Sequence, residues 1–287
     1  MRVEGPVREA RPRDTTIAYT PPLRTVVVPT LLFQPDSLVK TALQPIDGEG
    51  LVMAAERPHC LVIGVGAGTG LACVRRFVDE GYKVSMIARN EDRLTGWAED
   101  IANTVAYPSD LTDLARSRAT LEKIKAEQGL PKVVVYNAAL ATFAPYTDLD
   151  PADFERNFRA NTTGLLVTAQ VFAPDMVEAG NGAIVITGNT SARRGIPRFV
   201  GFAPTKASQL ILGESLAREL GPQNVHIAYV MIDARIDMPM VRKLMPGVPA
   251  EQLAQPDDIA GEVFHIAHQP RSTWSYLHQI RPFGETW

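Results

Sequence analysis

Cysteine is nearly absent: Cys60 and Cys73 are the only two in 287 residues, and both sit in apolar runs that read as a strand and a helix. Thiols in such surroundings are commonly reduced and buried, so neither a disulfide framework nor a thiolate metal site follows. Long apolar stretches are missing too. No segment approaches the roughly 18 apolar residues that cross a bilayer, and the N-terminus lacks the charged-then-apolar layout of a secretory signal. We therefore expect no membrane association and a cytoplasmic protein. Neither sign of charge dominates: 29 Lys and Arg stand against 32 Asp and Glu, for a formal net charge of -3. The basic residues are dispersed, which disfavours nucleic acid as a partner and favours a small-molecule substrate. The five histidines form no His-x-x-x-His pair with an intervening Glu, so no metal site is expected. A Gly-x-Ser-x-Gly nucleophile elbow is also absent.

What is there is ordinary globular material, 45% hydrophobic and 21% charged, enough for one sizeable core. Residues 1–56 differ from the rest. Seven of the 22 prolines fall in the first 50 positions, and only Thr25 to Phe33 is apolar, interrupted by Pro29. We read 1–56 as a mostly irregular extension with at most one short strand. Met53 opens Met-Ala-Ala-Glu-Arg-Pro just before the first strong strand, which leaves open a chain start there. A basic transit peptide is disfavoured by Glu4, Glu9 and Asp14. Over residues 57–287, apolar runs that read as strands recur near 60–65, 83–88, 104–107, 132–136, 183–187, 225–230 and 275–280. Helical faces lie between them: Leu71, Val74, Phe77 and Val78, then Leu94, Trp97 and Ile101, and later Leu210, Leu212, Leu216 and Leu220. This alternation predicts a single α/β domain, a Rossmann-type doubly wound parallel sheet of about seven strands flanked by helices. Ligands of such sheets sit at the carboxyl ends of the strands.

The first strand runs into Gly64-Val65-Gly66-Ala67-Gly68-Thr69-Gly70-Leu71 and then directly into a helix. The spacing G-x-x-x-G-x-G through Gly64, Gly68 and Gly70 lets backbone N–H groups approach a diphosphate, toward which the helix N-terminus turns about half a positive charge. A purely structural turn is the competing reading. At the end of the second strand, where an acid would select the ribose hydroxyls of NAD(H), the chain reads Ala88-Arg89. An arginine there suits a 2′-phosphate, so NADP(H) is expected in preference to NAD(H), with loop solvation as the competing role for Arg89.

Further segments follow in order: Asp110-Leu111 after the third strand, Tyr136-Asn137-Ala138-Ala139 after the fourth, Asn161-Thr162-Thr163-Gly164 in a helix, and Phe202-Ala203-Pro204-Thr205-Lys206 opening another. With the glycine turn, they resemble the classical short-chain dehydrogenase/reductase family over residues 58–285. The resemblance implies that Gly64, Gly68, Thr69, Gly70, Arg89, Asp110, Leu111 and Asn137 hold the cofactor, and that Lys206 binds its ribose. It also places Phe202 where the family has its catalytic Tyr, and Asn189, thirteen residues earlier, where it has a Ser. Ile232-Asp233-Ala234-Arg235 stands in place of the family's Pro-Gly segment. The resemblance thus implies a divergent member, with Phe in place of Tyr.

A phenylalanine has no proton to give, and a positioned general acid is worth about 10²–10⁴ in rate. Asn161 anchoring a water toward Lys206, or the phenol of Tyr146, could take its place, while Asn189 would orient the substrate oxygen. The leading expectation is an NADP(H)-dependent oxidoreductase of a small carbonyl or alcohol. Two alternatives keep the fold: a lyase, isomerase or cyclase on the same scaffold, and a non-catalytic NADP-binding protein. By the same resemblance, a homodimer or homotetramer is expected, pairing through the helices that carry Asn161 and Lys206.

Overall fold

Fully buried strands dictate the architecture. In β1 (His59–Ile63) every residue is buried, which requires cover on both faces and therefore helices on both sides of a parallel sheet. The computed structural model describes residues 56–284. The expectations for the extension before residue 56, for Thr25 to Phe33 and for Met53 lie outside the described residues.

After β1 the chain alternates through α1 (Thr69–Asp79), β2 (Lys83–Ala88), α2 (Glu91–Asp100), β3 (Thr104–Pro108), α3 (Leu114–Gln128) and β4 (Val133–Tyr136). Next come α4 (Pro151–Phe158), a π-helical segment (Arg159–Thr163) and α5 (Gly164–Glu178). They are followed by β5 (Gly182–Asn189), a 3₁₀ turn (Thr190–Ala192), α6 (Ala203–Leu220) and β6 (Val225–Ile232). The remainder is β7 (Arg235–Ile236), α7 (Pro239–Leu244), β8 (Leu253–Ala254), α8 (Pro256–Ala267) and β9 (Leu277–Ile280).

Seven strands form one parallel sheet in the order β3-β2-β1-β4-β5-β6-β9. The order reverses between β1 and β4, and the connections on either side of that point run to opposite faces. The crevice at the carboxyl ends there is where such sheets bind ligands. The doubly wound expectation holds, and the seven strands fall within a few residues of the apolar runs. The small β7–β8 pair was not anticipated, because two residues per strand carry no periodicity.

Alternation along the strands feeds two cores. Leu61, Ile63, Ile184 and Ile186 meet Leu121, Leu165 and Phe172 of α3 and α5 on one face. Cys60, Val62 and Val185 meet Val74, Phe77 and Val263 of α1 and α8 on the other. Both cysteines are buried and unpaired, and burial pushes the Cys73 thiol up to about 12. Local signals set the helix starts. The Asn90 side chain accepts from Arg93 N at 2.8 Å ahead of α2, and Asp150 accepts from Ala152 N at 2.9 Å with Pro151 at the first position of α4. No helix among the described residues is long and apolar enough to cross a membrane.

β5 continues past its expected end at Thr187, and Gly188 explains how. The ring of Tyr229 from neighbouring β6 lies where a side chain at 188 would be: a Cβ there would fall 1.9 Å from the Tyr229 hydroxyl oxygen. Gly188→Ala should therefore destabilise by about 1–3 kcal/mol in urea unfolding, as overpacking does. The added Tyr229→Leu change should recover part of the loss. Additive effects in the double variant would show that the two positions do not compete for this space.

Candidate active site

The carboxyl ends of β1 to β4 frame a cleft of about 590 Å³ at the reversal in strand order. Gly64, Arg89, Asp110, Leu111 and Asn137 line it, as expected. Gly68, Thr69 and Gly70 are not among its lining residues, and Gly66, which the spacing argument passed over, is. The reason is packing. Gly64 has φ +90°, and a Cβ there would lie 2.5 Å from the Ala138 backbone; one on Gly70 would lie 2.6 Å from Gly64 O. These two glycines let the turn fold back on itself. A Cβ on Gly66 would meet nothing within 4 Å, so that position stays open toward the cleft. Gly68 faces Met238, just before α7, whose Cε would be 3.1 Å from an added Cβ.

The turn also carries an uncompensated positive end. α1 has no side-chain cap at Gly68 and no acidic residue in its first turn; Leu71 N donates to Gly66 O at 3.1 Å, while the N–H groups of Thr69 and Gly70 have no acceptor among the described residues. Thr69 Oγ1 is buried and has no hydrogen-bond partner among the described residues. A buried hydroxyl left unpaired costs free energy, and an anionic oxygen at this turn would satisfy it.

Across the cleft, Arg89 leaves the end of β2 with no carboxylate in ion-pair range among the described residues, and Arg93 lines the same wall while lying over Trp97 at 5.3 Å. Burial alone would raise the Asp110 carboxyl. The N–H and hydroxyl of Thr112, each at 2.9 Å, together with the charges of Arg89 and Arg156, outweigh that and hold it below the usual carboxylate range. Asn137 serves the scaffold as well as the cleft wall: its Nδ2 donates to Gly64 O at 2.8 Å, and its Oδ1 accepts from Thr187 Oγ1 at 2.7 Å.

A second cluster is buried where α6 meets the π-helical segment. Phe202 immediately precedes α6, and Lys206 N donates to Phe202 O at 3.1 Å, so the two share one face. Phe202 is buried against Phe143 and Phe199, with ring centroids 5.6 and 6.3 Å away. Lys206 Nζ donates to Thr187 O at 3.2 Å and to Gln209 Oε1. Its burial brings the ammonium down to about 7. The expected water between Asn161 and Lys206 does not match this arrangement, because the Gln209 carboxamide occupies that bridge and donates to Asn161 O at 2.6 Å. The Asn161 side chain is engaged elsewhere: its Oδ1 accepts from Leu140 N, and its Nδ2 donates to Leu140 O and Thr205 Oγ1, all at 2.8 Å. It ties the loop after β4 to α6. Tyr146, the alternative phenol, is 81% exposed and outside both clusters. The Asn189 Oδ1 accepts from Ser191 N at 3.1 Å, which caps the 3₁₀ turn, and its Nδ2 has no partner among the described residues.

A model of the short chain dehydrogenase family matches residues 58–246. The chain belongs to the short chain dehydrogenases. Among curated relatives, a 3alpha-hydroxysteroid dehydrogenase of Mediterraneibacter gnavus is 26% identical over 231 residues, covering 76% of this chain and 92% of the relative. The 3-oxoacyl-(acyl-carrier-protein) reductase MabA of Mycobacterium bovis is 29% identical over 220 residues, covering 74% and 86%. Among solved structures, a short-chain dehydrogenase from Rhodopseudomonas palustris superposes with a TM-score of 0.68 at 26% identity, over 79% of this chain and 99% of that one.

In this short chain dehydrogenase, sequence reasoning missed Gly66 and Gln209. Gly66 was legible as a fourth glycine in the turn. Gln209 had no signal of its own, because one polar residue inside an amphipathic helix reads as a solvent-facing position. The depressed Lys206 has a measurable consequence. Between about pH 7, its folded value, and about 10.4, that of a free lysine, the unfolded state binds the extra proton. The unfolding free energy should thus rise with pH, by up to about 1.4 kcal/mol per pH unit. Urea unfolding from pH 7 to 9.5 should show this rise in the wild type, and Lys206→Met should lack that share of it. Parallel profiles would mean that Lys206 titrates normally.

Proposed function

We propose that this short chain dehydrogenase is an NADP(H)-dependent oxidoreductase of a small carbonyl or alcohol, with Phe202 at the position of the family's catalytic tyrosine. The carrying observation is Arg89 on the cleft wall beside Ala88, where an acid would repel a 2′-phosphate. The nicotinamide dinucleotide supplies or accepts hydride when bound. The chain's own groups fit it chemically. Gly66 and the uncapped start of α1, with the unpaired Thr69 hydroxyl, would receive the diphosphate. Arg89 and Arg93 would meet the 2′-phosphate, and Asp110 with Leu111 would border the adenine. As an ammonium, Lys206 has one N–H left after Thr187 O and Gln209 Oε1 for a ribose hydroxyl.

The names of the two curated relatives, a dehydrogenase and a reductase, support interconversion of a carbonyl and an alcohol. Asn189 would place its free amide N–H groups on the substrate oxygen, and water would supply the proton that Phe202 cannot. A second reading, a lyase, isomerase or cyclase on the same scaffold, is favoured by the aromatic group Phe143, Phe199 and Phe202, which lines the position with carbon instead of a proton donor. We further place the protein in the cytoplasm as a homodimer or homotetramer, joined through α5 and α6. Exposed Leu166 and Ile211 support that pairing.

Calorimetric titration should show NADPH binding at least about tenfold more tightly than NADH, with Arg89→Ala removing most of the difference, since the arginine–phosphate pair is charge-assisted. Equal affinities in the wild type would refute the NADP(H) preference, and no binding of either would refute the cofactor assignment. Phe202→Tyr should raise turnover on a carbonyl panel by about 10²-fold, the low end for a positioned acid. Turnover that persists without any nicotinamide would instead select the second reading.

A further inference from the structure

Gln209 lies on α6 three residues after Lys206 and is completely buried, an unusual place for a carboxamide. Both ends of that amide are used. Its oxygen accepts from Lys206 Nζ, and its nitrogen donates at 2.6 Å to the main-chain oxygen of Asn161, within the π-helical segment. A buried polar network is stabilising only when every member is satisfied. Here Thr187 O takes a second N–H of Lys206, and the Asn161 side chain is held by Leu140 and Thr205, so one N–H of the ammonium is left over. Within the π-helical segment, the Asn161 carbonyl thus receives a side chain from α6.

We propose that Gln209 is the positioning residue of Lys206: its carboxamide replaces a bridging water between Lys206 and Asn161 and fixes the ammonium with a single N–H left for a ligand hydroxyl. The inference rests on the dinucleotide reading for the identity of that ligand, but not for the positioning itself. It has a chemical consequence. A water in the bridge would both accept and donate through exchangeable protons, whereas an amide accepts at oxygen and donates at nitrogen without passing a proton between them. Lys206 is thereby held by an amide that relays no proton onward, in a site whose Phe202 also has no proton to offer.

The groups that face Lys206 make its titration a clean reporter. Tyr229 of β6 presents its ring at 5.9 Å, Thr187 of β5 and Asn161 of the π-helical segment are neutral, and among the described residues no carboxylate lies in ion-pair range. The test uses the whole chain and the variants Gln209→Leu and Gln209→Glu, with Lys206→Met as reference, and has two readouts. The first is urea unfolding from pH 6 to 9.5, without ligand. Gln209→Glu sets a carboxylate against the ammonium and should carry its titration upward, so that the wild-type gain in stability between pH 7 and 9 disappears, as in Lys206→Met. Gln209→Leu removes the acceptor and should start the gain at lower pH.

The second readout is the dissociation constant for NADPH. Gln209→Leu should weaken it about tenfold, the scale of one hydrogen bond to a charged group, and Gln209→Glu, which keeps an acceptor, should stay within about threefold of wild type. Stability profiles that coincide with wild type in both Gln209 variants would overturn the proposal, because a merely space-filling amide would leave the lysine's titration unmoved. If Gln209→Leu fails to fold, the Gln209→Glu profile decides alone. If the wild type binds no NADPH, the dinucleotide reading falls while the unfolding profiles still decide the role of Gln209.

Discussion

The constraint on which the rest depends is the junction at the reversal of strand order, where Asn137 is bonded to Gly64 O and Thr187 Oγ1. β1 and β4 pair in parallel up to Ile63 and Tyr136, and beyond that register their continuations must leave toward opposite faces of the sheet. Two peptide segments then pass so closely that Gly64 touches the Ala138 backbone, and only a residue without Cβ and tolerant of φ +90° fits. The Asn137 amide satisfies the carbonyl exposed by that divergence and links it to β5. It thereby joins the turn that opens α1 to the end of the strand that leads to α6, and so the open cleft to the lysine cluster.

From this junction two environments of opposite character extend. Toward β2 and β3 the cleft is open, lined by Arg89, Arg93 and Asp110, and suited to charged groups that arrive with their own water. Toward α6 the surroundings are closed: Lys206, Gln209 and Asn161 are buried and bonded to one another, while Phe202 is packed among aromatic rings. Charge in the first is weakly held and screened. In the second, every hydrogen bond matters, because a buried donor or acceptor left alone costs the full price of its desolvation.

The difference between these environments accounts for what could be read from the sequence. The strands were legible because burial on both faces leaves continuous apolar runs such as Cys60 to Ile63 and Val133 to Val135. The glycine turn and Ala88-Arg89 were legible because backbone conformation and charge at a strand end are local properties. The Lys206 cluster was legible only in part. Phe202 and Lys206 stand on one helical face by spacing alone, but the place of Gln209 depends on how α6 packs against a π turn 48 residues away in the chain. Asn161 illustrates the same limit. The residue was singled out as the anchor of a water, yet its side chain ties Leu140 to Thr205, and only its main-chain carbonyl reaches the lysine network.

The chemistry left to such a site follows from what its buried members can do. Lys206 can donate to an oxygen of a bound molecule, the Gln209 carboxamide beside it relays no proton, and Phe202 contributes only shape. Asn189 spends its carbonyl on the 3₁₀ turn, which leaves donors alone for an incoming oxygen. Amide N–H groups stabilise negative charge on an oxygen as preorganised dipoles without giving up a proton, and that electrostatic contribution is commonly the largest part of a rate enhancement. Such donors therefore suit an oxygen that carries developing negative charge, whichever way a reaction at that oxygen runs.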